Sequence, residues 1–446
     1  MERASFAVAS RVAQILSENV GRVVGSKVLL LVGSGDNGAD ALFAGSYLRK
    51  RGVDVRALLI KQSVDQLAAN AFIDSSGAFL NQGDAETFDA DLILDGIVGS
   101  GLQGALRDEC NSAVELANQS HALVVAIDLP SGVIADTGEV QGIAIEADVT
   151  LTIGAYKIGT LTGAGKSYVG TLDLINIGIE YPTDDAVAGL IDIEEIAEIF
   201  PDPESEAHKY SHGVVGLDVG SSDFPGAALL ATAGALASGV GMVRIAGDVA
   251  TDVIERYPEV VIGLHDAKIT GFAVGSGKSG TLETLIELLA SPHPVVIDAH
   301  ALQFLSELEI LQLTKRRLES SVLTVITPHE GEAARLGFAS KDRVSMARQM
   351  ANQLNVTTVL KGPGTVIAEP AGSTFIDTYG SSALATAGTG DVLAGLLAGT
   401  LARVPNGTIK TVAGAVALHG LASRLMNPGD SASDLVRCLA QARIQL

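Results

Sequence analysis

A chain of 446 residues with 50 glycines, no tryptophan and 47% hydrophobic residues is too long for one ordinary core. It suits two α/β domains rich in close turns and excludes a disordered protein. The formal net charge of −22 excludes a general nucleic-acid or anionic-membrane surface, but not a small anionic ligand held locally by N–H groups or a metal ion.

The segment Met1–Val20 threads Arg3, Arg11 and Glu18 through its apolar positions, so it reads as an amphipathic helix and not as a signal peptide. Strand-like and helix-like segments then alternate. Val28–Val32 is a short apolar run ending in Gly33-Ser34-Gly35, and a helix pattern follows over Ala41–Arg51. Val55–Ile60 is the next strand, with a helix reaching to about Leu80, then Leu92–Leu94 ending at Asp95-Gly96. Ala122–Ile127 ends at Asp128, and Val149–Ile153 and Thr171–Ile175 complete the series. Continuous apolar strands between helices predict a parallel sheet covered on both faces. Gly33–Asp40, Asp95–Gly101 and Asp128–Gly132 all follow strand C-termini, the edge at which open parallel sheets bind ligands.

Around Pro201–Glu206 the pattern breaks into Pro and acid, which puts a boundary between Asp184 and Lys209 and gives expected domains 1–199 and 200–446. The alternation restarts with Val214–Val219, a helix from about Gly226 to Ser238, Val243–Ile245, Phe272–Val274, Val295–Ile297, Val322–Ile326 and Val356–Leu360. Val366–Ala368 and Thr374–Ile376 look like a hairpin, and helices follow from Thr389 to the end. The least polar stretch, Ala383–Ala402, contains Asp391 and many Gly and Thr residues, which makes it a poor membrane span. Cys110 and Cys438 fall in different halves. A disulfide framework is therefore not expected, and a soluble cytoplasmic protein is.

Thr386-Ala387-Gly388-Thr389-Gly390-Asp391, running into Val392–Leu396, is the most informative motif. Its glycines give a tight turn whose N–H groups point out of a helix N-terminus, a ready anion site. Asp391 is awkward there unless it takes a proton from a substrate hydroxyl or steers a metal-bound phosphate; otherwise it is an ordinary helix cap. Gly33–Asp40 has the shape of a phosphate turn without the G-x-G-x-x-G spacing, and Asp36, Asn37 and Asp40 make it rich in oxygen ligands. The alternative is a plain helix cap. Asp95 and Asp128 each end a buried strand, and a cation shared by Asn37, Asp95 and Ser131 would offset the desolvation of such a carboxylate. Thr327–Glu332 offers His329 to a ligand and Glu332 to a metal through water, or serves as a structural turn. Lys361-Gly362-Pro363-Gly364-Thr365 either contacts phosphate or closes a hairpin with a solvated lysine. Walker, zinc and G-x-S-x-G signatures do not occur.

Taken in order, Val32–Asp40, Asp95–Gly101, Asp128–Gly138, His208–Gly213, Gly220–Ala228, Thr327–Leu336, Leu360–Ile367 and Ala385–Gly395 resemble the bifunctional NAD(P)HX epimerase / NAD(P)HX dehydratase family over nearly the whole chain. The resemblance implies an α/β fold: a Rossmann-like parallel-sheet domain followed by a ribokinase-like α/β domain. It implies repair of NADH and NADPH hydrated at C6 of the nicotinamide ring. The first domain would interconvert the R and S epimers. The second would remove water from the S epimer by phosphoryl transfer to the ring hydroxyl and loss of phosphate, with Mg²⁺ and with ADP (giving AMP and phosphate) or ATP. Asp391 is then the expected base, the Gly388, Thr389 and Gly390 turn faces the phosphoryl group, and Lys361 to Thr365 match the adenine-nucleotide segment. Ala228, Gly277, His329 and Asp391 match contacts to the hydrated nucleotide. In the first domain Asn37, Asp95 and Ser131 match potassium ligands. Asp36, Asn37, Gly38, Ala39 and Asp40, the loop Gly99, Ser100, Gly101 and Leu102, and Asp128 match substrate contacts. A homo-oligomer, with no nucleic-acid or membrane partner, is expected.

The departures bear on activity. Asp36 replaces a usual Asn, and Ala39 and Ala41 replace usual glycines, so added methyl groups would narrow the first pocket. Gly275–Ser279 replaces a common G-P-G-L-G, His300 a common Asp and Phe224 a common Tyr, and the chain starts inside the family's first helices. The rival reading keeps the fold but makes the second domain a small-molecule kinase, with a first domain that only binds or stabilises.

Overall fold

The computed structural model describes residues 1–61, 63–179, 186–201, 210–265, 268–404 and 406–446. The acidic break at 202–206 and His208-Lys209 lie outside the described residues. Two compact units divide the chain, Met1–Asp185 and Ala186–Leu446. Residues 186–199, expected with the first domain, pack on the second for a simple reason. Gly189 bridges to Phe375, and Ile191, Ile196 and Phe200 are buried in the second unit's core.

The first unit is a seven-stranded sheet, β1 (Lys27–Val32), β2 (Asp54–Leu59), β3 (Ala78–Leu80), β4 (Leu92–Gly96), β5 (Leu123–Ile127), β6 (Val149–Ile153) and β7 (Thr171–Ile175). Its order is β3-β2-β1-β4-β5-β6-β7 and every pairing is parallel. Val28, Leu30 and Val32 face one core with Leu92 and Leu94. Leu29, Leu31 and Ile93 face another on the opposite side. Burial on both faces is why these strands read as unbroken apolar runs. The amphipathic helix is real, over Glu2–Asn19. The helix expected to reach Leu80 stops at Asp74, and Ala78–Leu80 is an edge strand too short to show a period.

The second unit is a nine-stranded sheet: β8 (Val214–Asp218), β9 (Met242–Ala246), β10 (Val261–Ile262), β11 (Gly271–Val274), β12 (Val295–Ile297), β13 (Thr324–Ile326), β14 (Thr357–Leu360), β15 (Val366–Ala368) and β16 (Thr374–Ile376). The order is β10-β9-β8-β11-β12-β13-β14-β15-β16. Pairing is parallel through β14, and the expected hairpin adds two antiparallel strands. Chain order reverses at β1/β4 in the first sheet and at β8/β11 in the second. Loops diverge at such points and leave a crevice at the strand C-termini.

Along the second sheet the helices Pro225–Ala237 and Thr389–Arg403 cross backbone to backbone. A methyl group on Gly395 would collide with the Ala231 carbonyl, and one on Gly234 with the Val392 carbonyl. This contact fixes the helix whose first turn carries Asp391.

Candidate active sites in the two units

In the first unit a cleft of about 760 Å³ opens at the β1/β4 switch point, between the loops after β1 and β4 and the end of β5. Asp36, Asn37, Asp40, Gly99, Ser100, Gly101, Leu102 and Asp128 all line it. Gly38 and Ala39 do not. Gly38 packs against the Gly33 carbonyl, and Ala39 and Ala41 turn into the core on the other side of the helix. Their methyl groups therefore do not narrow the cleft, contrary to expectation; Ala41 rests on Gly96.

Beside the cleft, Asp95 is fully buried. Its carboxylate accepts from Ser131 N at 2.8 Å, Ser131 Oγ at 2.7 Å and Ile97 N at 3.1 Å. Burial still pushes it up to about 6, since no cationic side chain answers its charge. Ser131 Oγ also lies 3.1 Å from the Val98 carbonyl. Asn37 Oδ1 approaches Gly99, 3.2 Å from where its Cβ would stand, and the buried Asn37 Nδ2 has no partner. The Asp95 carboxylate, the Ser131 hydroxyl, the Val98 carbonyl and Asn37 Oδ1 are the oxygens here that could face a weakly hydrated monovalent cation; the unpartnered Asn37 Nδ2 is a donor and takes no part in such a set.

Asp128 adopts φ +71°, a left-handed backbone rare outside glycine. Its Oδ1 accepts from Lys157 Nζ, which also donates to the Ile153 carbonyl at 2.7 Å. Lys157 lines the cleft and was not singled out in the sequence, because it follows β6 as a lone lysine. The same is true of Lys61, paired with Glu109 at 2.7 Å. Asp40 accepts from Ser5 Oγ, and burial raises its ionisation pH.

In the second unit a cleft of about 580 Å³ is lined by Phe224, Ala227, Gly277, Lys278, His300, Glu332 and Asp391, among others. Gly277 is where the sequence put it. Ala228 is not: it is fully buried against Gly220 in the core, and Ala227 forms the wall. Lys278 replaces the expected apolar residue and lies 4.6 Å above the Phe224 ring. His329 caps the helix Glu330–Arg335: its Nδ1 accepts from Gly331 N at 3.0 Å and Glu332 N at 3.3 Å, while Glu332 Oε2 accepts from His329 N at 2.9 Å.

Gly388, at φ +93°, precedes the helix Thr389–Arg403, so the turn has the geometry its glycines promised. Burial pushes Asp391 up to about 6, the Asp298 charge adds to this, and Lys361 and Ser276 oppose it. Lys361 closes the loop after β14 onto that turn. Its Nζ is 2.9 Å from Asp298 Oδ1, 3.9 Å from Glu332 Oε2 and 3.3 Å from where a Cβ on Gly390 would stand. Gly362 to Thr365 continue this loop, closed by Thr365 Oγ1 donating to the Gly362 carbonyl at 3.3 Å. Behind the turn, the buried His419 lies 3.0 Å from the Thr389 carbonyl, and burial drops its ionisation to about 4, so it stays neutral.

Two nucleotide-type crevices, one on a Rossmann-like sheet and one on a ribokinase-like sheet with an acid at a glycine turn, define a two-site enzyme. Residues 215–444 match the family model described as NAD(P)H-hydrate dehydratase, and residues 1–159 that described as YjeF-related protein N-terminus. The chain is 36% identical over 419 residues to the bifunctional NAD(P)H-hydrate repair enzyme Nnr of Mycobacterium tuberculosis, covering 91% of this chain and 85% of that one. It is 31% identical over 454 residues to the enzyme of that name from Moorella thermoacetica, covering 90% and 83%. The crystal structure of ADP/ATP-dependent NAD(P)H-hydrate dehydratase from Bacillus subtilis, co-crystallized with ATP/Mg²⁺, matches 58% of this chain and 98% of its own, with TM-score 0.50 and 28% identity. The chain belongs to the family of bifunctional NAD(P)H-hydrate repair enzymes.

Proposed function

We propose that this chain repairs hydrated nicotinamide nucleotides at two sites. The first unit interconverts R and S NAD(P)HX, and the second dehydrates the S epimer with ADP, which yields AMP and phosphate, or with ATP. The observation that carries the reading is Asp391, a partly buried carboxylate at the mouth of a glycine turn with the Lys361 ammonium beside it.

In the second unit Asp391 takes the proton of the C6 hydroxyl as that oxygen attacks the terminal phosphorus of the nucleotide. The N–H groups of the Gly388–Gly390 turn face the phosphoryl group, whose charge they stabilise together with Lys361. The ring nitrogen then expels phosphate from C6, and loss of a C5 proton restores the double bond. Gly362 to Thr365 run on from Lys361 to the nucleotide, and Gly277 and His329 approach the hydrated ring. Mg²⁺ would neutralise the nucleotide phosphates.

In the first unit Asp128, held by Lys157, meets the substrate with Asp36, Asn37, Asp40 and the Gly99–Leu102 loop. Asn37, Asp95 and Ser131 would hold potassium, which would offset the buried charge of Asp95 and fix the loops around it. No helix among the described residues is long and apolar enough to cross a membrane. Separately, cytoplasmic residence and a homo-oligomer belong to the proposal as expectations from the family resemblance.

The test is recovery of reduced-nicotinamide absorbance from an R/S mixture of NADHX, with Mg²⁺ and ADP or ATP, in potassium or tetramethylammonium chloride. Recovery of the whole mixture in potassium supports both sites. Recovery that stalls at the S fraction removes the epimerase, equal rates in both salts remove the potassium site, and no recovery with either nucleotide removes the dehydratase.

A further inference from the structure

The strand ends of the second unit converge on a carboxylate that the reading above leaves without a task. Asp298, immediately after β12, is 3% exposed. Ser276 Oγ donates to its Oδ2 at 2.9 Å, Thr327 Oγ1 to its Oδ1 at 2.7 Å and Lys361 Nζ to its Oδ1 at 2.9 Å. These donors follow β11, β13 and β14, which lie beside or one strand beyond β12 in the sheet. Sheet register therefore sets the geometry of all three. Burial works against the charge of Asp298, but Lys361 and the two hydroxyls hold it below the usual carboxylate range.

A lysine is a point charge on a flexible stem with no preferred end position. Here the end is fixed: the ammonium sits between Asp298 and Glu332 and touches the turn at Gly390. Asp298 makes the shorter contact and is itself immobilised by two hydroxyls. Glu332 is tied up by the His329 N–H.

We propose that Asp298 is a positioning residue for dehydration: it holds the Lys361 ammonium at the Gly388–Asp391 turn, where that cation meets the phosphoryl group in transfer. This rests on the dehydratase reading of the second unit. Asp298 also acts on the base. The charged and titratable groups facing Asp391 are Asp298 and Lys361, with Glu332 behind Lys361, Lys278, His300 and Arg335 around the same cleft, and neutral His419 behind the turn. Asn at position 298 would remove a negative neighbour of Asp391 and free Lys361 toward it. Both changes favour ionised Asp391.

The experiment compares full-length wild type and Asp298→Asn for kcat and KM with S-NADHX across about pH 5 to 8. The expected result is a loss of about tenfold or more in kcat with KM little changed, and an acid limb of kcat/KM moved to lower pH. Unchanged kcat, or a loss with the acid limb at its wild-type position, overturns the proposal, because a merely structural role gives the latter. In a cycle with Lys361→Met, Asp298→Asn adds little further loss in kcat if Asp298 acts through Lys361, and its full loss if it does not. Where Asp298→Asn loosens the fold, Thr327→Val carries the test: it removes one donor and leaves the charge, and kcat falls only if the position of Asp298 matters. A wild type that regenerates no NADH removes the dehydratase reading itself, whereas an active wild type with an indifferent Asp298 removes only this inference.

Discussion

At the scale of single residues, chemistry follows from which charges are answered. Asp391 ionises near pH 6 because it is buried beside another acid, and a base must be ionised to work. The dehydration rate should therefore rise with pH through about 6 and level off above it, and Asp391→Asn should abolish dehydration at every pH while R/S interconversion continues. A stopped assay on purified S-NADHX checks both. Lys157→Met should slow use of the R epimer by about 10- to 100-fold, the worth of one charge-assisted hydrogen bond at about 1.5–3 kcal/mol; the R-fraction time course would read it. Asp391, Asp95 and Ser131 were legible in the sequence because each stands in a glycine- or proline-bearing turn at a strand or helix end. Lys157 was not, and Ser276 and Thr327 stood in segments singled out for their neighbours, with nothing to mark their own hydroxyls. A lone lysine, serine or threonine after a strand has no spacing signature, and its partner is chosen by the sheet. Ala228 is buried and its neighbour Ala227 lines the cleft, because in a helix adjacent residues point about 100° apart.

At the scale of elements, strands buried on both faces were the easiest to read, and β12, β15 and β16 fall where their apolar runs predicted. The edge strands β3 and β10 were missed, because their pairing is decided by neighbours and not by a pattern of their own, whereas β16, also three residues at an edge, was readable as the second arm of a hairpin. The crossing of the Pro225–Ala237 and Thr389–Arg403 helices was equally hidden, although Gly234 and Gly395 were in plain view. Only the packed pair shows that each glycine meets the other helix's backbone. Gly395→Val should lower the stability of the second unit by about 1–3 kcal/mol or more through overpacking and reduce dehydration with it, because the same contact sets the position of Asp391. Thermal unfolding followed by circular dichroism, with Gly226→Val, where an added side chain meets nothing within 4 Å at an ordinary φ, as control, distinguishes this from a general effect of valine.

At the scale of the whole molecule, the two units have separate cores and separate crevices, so each chemistry should be removable alone. Asp128→Ala should leave dehydration of S-NADHX intact and stall on the R fraction, and Asp391→Asn should do the reverse. An equal mixture of the two variants should then recover the whole R/S mixture, since the S epimer released by one can diffuse to the other. Failure of the mixture, with each single activity present, would show that the intermediate does not pass freely through solution. The two-unit division was legible in the restart of the strand–helix alternation, and it falls at the near end of the interval Asp184–Lys209, at Asp185/Ala186 and not at 199/200. Residues 186–199 are apolar enough to join either core, and only the Gly189–Phe375 bridge and the burial of Ile196 assign them.

The cap at His329 has a consequence for molecular recognition. Because Nδ1 is spent accepting two backbone N–H groups, the neutral imidazole is confined to one tautomer, with its proton on Nε2. Nε2 then lies 3.6 Å from Glu332 Oε2, so the ring's proton faces that carboxylate. A six-residue helix start thereby fixes a polarity: one glutamate accepts the His329 backbone N–H and lies beside its Nε2, so the orientation of the ring is written into the backbone before any ligand arrives.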